Sequence, residues 1–146
     1  MGKKPRRAAN VPQFSKLPRG AELVEVIRKK QFCWRVEELD WEGQWGWSQA
    51  SRDEILRTIV PKLHNYESMT WAQVEGPSGS HSVEFDQLCP EAQARLTEIG
   101  RGELENLFSV RITGEQRVWG IKDVAILRLI WWDPSHSVCP SEKKHT

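Results

Sequence analysis

The chain has 146 residues, 38% of them hydrophobic and 28% charged, the length of one domain and the composition of a globular protein with a real core. No apolar run approaches the roughly 20 residues of a membrane span, and the stretch from Met1 to Arg6 lacks both the apolar segment of a signal peptide and a myristoylation pattern, which Arg6 breaks. Net charge is +1, but residues 1–31 carry nine Lys or Arg against two Glu (+7), whereas residues 32–146 carry twelve against eighteen acidic groups (−6); an acidic body excludes broad nonspecific nucleic-acid binding.

In chain order, residues 1–31 form a basic arm. Lys3, Lys4, Arg6 and Arg7 either neutralise phosphates or stand as a solvated tail. Within the arm, Ala21–Ile27 is a short helix or strand able to dock on the body through Leu23, Val24, Val26 and Ile27. Phe32–Trp41 reads as a first strand with Phe32, Trp34 and Val36 on one face. Trp41, Trp45 and Trp47 then punctuate a glycine-containing loop, too aromatic to stay in water, which is expected to fold back over the sheet.

Ser51 followed by Glu54 matches a capping box and marks a helix start. Ile55, Ile59 and Leu63 recur at helical spacing with Leu56 and Val60 beside them, and Pro61 is expected to kink or divide this helix. Met69–Val74 adds a further turn, and 81–85 is briefly extended. Cys89 and Pro90 open a second helix, which Gly100 and Gly102 close and whose stripe is Ala92, Leu96 and Ile99.

Three strand-like runs follow. Phe108, Val110 and Ile112 alternate with Ser109 and Arg111; a turn at 113–116 leads into 117–121; Lys122 and Asp123 make the next turn; and 125–132 is apolar at nearly every position except Arg128. Continuous apolarity is the mark of a strand covered on both faces, and Asp133-Pro134 ends it. The expected architecture is an α+β sandwich: a four-stranded, mainly antiparallel sheet spanning residues 32–140, with helices on one face, an open and partly polar second face, and a tail at 141–146.

The hairpin from Arg111 through Ile112, Thr113 and Gly114 to Arg117, Val118 and Trp119 resembles that of the RelE/ParE toxin superfamily, and most of all its YoeB-like branch. The order of one strand, helices and a three-strand meander agrees with it. The resemblance implies a ribosome-dependent mRNA endonuclease, needing no metal or other cofactor, in which the ribose 2′-OH is set on its neighbouring phosphate. Its site would use Arg117 and Arg111 on phosphate oxygens, as the guanidinium fork suits, and His136 as general acid. The tail departs from the branch, because Asp133, Pro134 and Ser135 separate the strand from His136 and no tyrosine accompanies it. The branch takes its base from a glutamate before the hairpin, where Glu103 and Glu105 stand outside any matching motif; His81 is a further candidate.

Most of the eight tryptophans belong to the core and its rim, and Trp119 is the best candidate for stacking on a base. Lys122 is expected to join the two arginines in an RNA-binding patch. Cys33, Cys89 and Cys139 are odd in number, widely spaced and outside any metal-binding pattern, as expected of reduced thiols in a cytoplasmic protein. The implied partners are the ribosome with its mRNA and a protein antitoxin laid over the basic face. Two alternatives remain open: a gyrase-binding inhibitor on the same fold, and a phage or mobile-element interaction protein using the loop 41–47.

Overall fold

The computed structural model describes residues 20–140, so residues 1–19 of the basic arm and the tail 141–146 lie outside the described residues. The described elements are, in order, α1 (Ala21–Arg28), β1 (Cys33–Arg35), a helix whose α-helical part is α2 (Val60–Tyr66), α3 (Trp71–Val74), β2 (His81–Glu84), α4 (Pro90–Glu98), β3 (Asn106–Thr113), β4 (Gln116–Asp123) and β5 (Ile126–Asp133).

The class is α+β, but the sheet has five strands in the order β1-β5-β4-β3-β2 and is mixed. The extra strand is β2, antiparallel to β3. The first strand shrinks to three residues and pairs parallel with β5. Two-residue turns at 114–115 and 124–125 join β3, β4 and β5. The second turn therefore falls beyond Lys122 and Asp123, with Val124 at φ 61°.

Both faces of the sheet are covered. Phe108, Val110, Val118, Leu127 and Leu129 meet Ile59, Leu63 and Tyr66 of the helix that ends in α2 and Trp71 of α3 in one core. Val83, Leu107, Trp119, Ile130 and Trp131 meet Ala92 and Leu96 of α4 in a second. The expectation of one helical layer over an open face is thereby corrected. A helix's periodicity names its apolar stripe without saying which side of the sheet receives it, and the Leu107–Trp119–Trp131 side is apolar enough to need a lid of its own. A bulge lies between the pairs Trp119–Trp131 and Gly120–Leu129, and it turns the consecutive Ile130 and Trp131 into the same core. Gly120 permits this, because a Cβ there would lie 2.5 Å from the Arg128 carbonyl oxygen.

Local signals hold where they are strong. Ser51 Oγ accepts from the Glu54 amide and Glu54 Oε1 from the Ser51 amide, both at 2.9 Å, which is the capping box. Pro61 divides the helix in its winding without breaking it: Glu54–Ile59 is π-helix and α2 begins at Val60. The wider turns put the proline in the first turn of the α-helical part, where a missing N–H is tolerated. A second capping box, Thr70 with Gln73, starts α3.

The tryptophan loop does fold back, and it wraps the edge of β5. Its backbone runs beside that strand, with Asp40 N–H donating to Ile130 O at 3.0 Å and Trp132 N–H to Trp45 O at 3.1 Å. Trp47 enters the first core and Trp45 the second, so the loop clasps the sheet from both sides. Asp40 is the pin of this clasp. Only 7% exposed, it accepts a bidentate pair from Arg95 of α4 at 2.7 and 2.9 Å and the Trp131 indole N–H at 2.9 Å. Burial works to raise the pKa of the Asp40 carboxyl, but the hydrogen bonds from Arg95 and Trp131 and the charge of Arg95 outweigh it and hold the pKa below the usual value.

Candidate functional site

The register of the sheet builds a basic corner. Arg111 of β3 lies directly opposite Arg117 of β4, and Arg117 directly opposite Asp133 of β5. Cross-strand partners share a face, so the three side chains form one row, on the side of the sheet that carries Trp119 and the second core. Gly79 extends the row: Arg111 lies against it so closely that a Cβ would meet Arg111 Cδ at 3.1 Å and Nη1 at 3.3 Å.

The backbone of this row is fixed from two directions. Arg111 N–H donates to Ser80 Oγ at 3.0 Å, and Tyr66 OH donates to Arg111 O at 2.7 Å. Arg117 Nη1 donates to Gly114 O at 2.7 Å and Gln116 O at 3.0 Å, which draws its guanidinium back over the hairpin turn. Among the described residues, Arg28, Arg57, Arg95, Arg101 and Arg128 each form an ion pair with a carboxylate, and neither Arg111 nor Arg117 does. Partial burial, and next the charge of Arg111, lower the pKa of Arg117. Two like charges held side by side with incomplete hydration gain more than ordinary surface arginines do when an anion arrives.

The charge of Asp133 works to raise the Arg117 pKa, but the two form no ion pair, and the oxygens of Asp133 are hydrogen-bonded elsewhere. At 0% exposure, Oδ1 accepts from Ser137 N–H at 2.9 Å and Ser137 Oγ at 3.2 Å, while Oδ2 accepts from Val138 N–H at 3.0 Å and the Trp119 indole at 3.1 Å. These bonds fold 134–138 into a tight turn back over the end of β5. His136 sits in that turn, half-buried, with φ 58° and with its ring Nδ1 buried and lacking a hydrogen-bond partner. Asp133 and Ser137 are the organisers that sequence reasoning missed; Asp133-Pro134 reads as a strand end, and nothing local shows that the carboxylate turns inward.

Comparison of the chain with family models, with curated proteins and with solved structures finds no match. The resemblance of the hairpin thus rests on its own residues.

Of the expected site residues, Arg111, Arg117 and His136 come to one end of the sheet, and two do not join them. Trp119 is 1% exposed within the second core and spends its N–H on Asp133, so it has no face to offer a base and is a packing residue. Lys122 lies five residues along β4 from Arg117 and on the opposite face. Its Nζ contacts Glu75 Oε2 at 3.2 Å and stands 4.5 Å from the centre of the Trp71 ring, so ion pairing and cation–π attraction occupy it. Glu105 precedes the start of β3, six residues before Arg111 and roughly 20 Å away along the strand, too far to share its site. His81 pairs with Ser109, so it stands on the face of Arg111 one step along the sheet, and its ring is exposed. No group of three His, Cys, Asp or Glu among the described residues is arranged to hold a metal ion, and no described helix is long and apolar enough to cross a membrane.

Proposed function

We propose that the Arg111–Arg117 row binds the phosphodiester of RNA and that the chain acts as a RelE-like, ribosome-dependent mRNA endonuclease in the cytoplasm, restrained by a protein antitoxin. The observation that carries this reading is a pair of directly opposed arginines without carboxylate partners among the described residues. The charge of Arg111 acts against that of Arg117, an arriving anion relieves that repulsion, and phosphate oxygens match the guanidinium fork geometry.

In the reaction, the ribose 2′-oxygen attacks phosphorus, the 5′-oxygen leaves, and the product is a 2′,3′-cyclic phosphate. Arg117 and Arg111 hold the two non-bridging oxygens and offset the charge that builds on them, an electrostatic contribution of about 3–4 kcal/mol per well-placed donor. His136, in the turn beyond β5, protonates the departing 5′-oxygen. His81, on the same face as Arg111, is the titratable side chain available to take the 2′-OH proton.

The test is cell-free translation with purified protein, primer extension on the message, and Arg117→Ala in parallel. Cleavage confined to translated message, and lowered about 100-fold or more by the substitution, supports the reading. Intact message and undiminished protein synthesis with the wild-type chain would overturn it.

A specific feature favours a second reading, that of a protein-binding module. An apolar groove of about 210 Å³ opens between β1, the tryptophan loop and the helix that ends in α2, lined by Trp34, Val36, Trp41, Val60 and Leu63. Trp41 is 59% exposed at its rim, with Leu56 exposed nearby, and exposed aromatics are the usual anchors of interfaces. Loss of a partner on Trp41→Ala, with message intact, would select this reading over the first.

A further inference from the structure

Cys89 and Cys139, fifty residues apart in sequence, lie on segments that a backbone hydrogen bond joins where the tail returns to α4. Cys89 is the residue that caps the start of that helix, and its N–H donates to Val138 O at 2.8 Å. One hydrogen bond and the covalent lengths on either side of it place the Cα atoms of Cys89 and Cys139 no more than about 7 Å apart, with roughly 5–6 Å typical of extended neighbours. Disulfides span roughly 4.4–6.8 Å between Cα atoms. Both side chains pack against the second core. Cys139 Sγ contacts Gln87 O at 3.4 Å, two residues from Cys89. Both residues are partly exposed, whereas Cys33 is exposed on the edge strand β1.

We infer that Cys89 and Cys139 close a reversible disulfide that latches the turn after β5 onto the start of α4. The oxidant is a low-molecular-weight disulfide, RSSR. One cysteine thiolate attacks a sulfur of RSSR and expels RS⁻. The second thiolate then attacks the protein sulfur of the mixed disulfide and expels another RS⁻, so two thiols and RSSR become one protein disulfide and two RSH. Burial pushes the Cys89 thiol pKa up, so Cys89 supplies less thiolate at neutral pH than an open cysteine does. The bridge would fix the segment that carries His136 and Ser137, but it depends on thiol chemistry alone and stands apart from the proposed nuclease activity.

The experiment uses the full chain with Cys33→Ser, equilibrated in mixtures of reduced and oxidised glutathione, quenched by alkylation and mapped by mass spectrometry. The expected result is simultaneous protection of Cys89 and Cys139, a cross-linked peptide joining them that dithiothreitol separates, and a rise in melting temperature of about 10 °C on oxidation. Cys139→Ser added to this chain abolishes the rise. Glutathione adducts at Cys89 or Cys139 without a cross-link would overturn the inference, as would full alkylation of both under oxidising conditions.

Discussion

Replacing Asp133 tests whether one buried carboxylate builds the basic corner. Asp133→Ala leaves two buried donors, the Trp119 indole N–H and the Val138 amide, without acceptors, and an unmade buried hydrogen bond costs about 1–3 kcal/mol. The two bonds from Ser137 are only part-buried, and water replaces them at a cost of roughly 1 kcal/mol together. The expected loss is therefore about 3–7 kcal/mol, a large share of the roughly 5–15 kcal/mol that holds a domain together. Asp133→Asn keeps one acceptor oxygen and loses about 1–3 kcal/mol. Urea unfolding at 25 °C measures both, and hydrogen exchange at the Ser137 and Val138 amides localises the damage to the turn. If Asp133→Ala loses less than about 1 kcal/mol and those amides stay protected, packing holds the turn and Asp133 does not position His136.

The clasp at Asp40 makes a pH prediction. Its carboxyl binds a proton less tightly folded than unfolded, so its contribution to stability is complete above about pH 4 and is lost as pH falls through the depressed folded value. Urea midpoints of wild type and Asp40→Asn should differ by a constant amount near neutrality and converge toward pH 3 or below; a gap that stays constant or widens in acid would refute the assignment. The tryptophan loop offers a contrast within seven residues. Trp45, 3% exposed, packs its ring 5.0 Å from that of Trp131 and donates to Ser137 Oγ, so Trp45→Ala should cost about 3–5 kcal/mol in thermal or urea unfolding. Trp41→Ala should cost no more than about 0.5 kcal/mol, as expected of an exposed side chain; equal losses at the two positions would contradict the placement of the loop.

Much of the chain was legible without coordinates, because its signals are local. Ser51 and Glu54 lie three residues apart, and their reciprocal bonds form within one turn of helix. Pro90 and Gly100 bound α4, and the period-two alternation of Phe108, Val110 and Ile112 was enough to place Arg111 on the opposite side of β3 from all three. The hairpin was legible too, but not its register: a two-residue turn alone would set Arg111 opposite Val118, and the irregularity between Arg111 and Thr113 is what brings it opposite Arg117.

What the tertiary structure decided was pairing across long separations. Alternation assigns residues to two sides of a strand but says nothing of what covers each side, so the second core beneath α4, and with it the burial of Trp119, came only from the fold. Lys122 looked like a neighbour of Arg117 until strand length and parity carried it to the other end and the other face, beside Glu75. Asp40 and Arg95, 55 positions apart, and Trp45 and Ser137, 92 apart, hold the loop and the tail in place. Residues so distant meet because burying an unpaired polar group is costly, and no window of local sequence records which partner will relieve that cost.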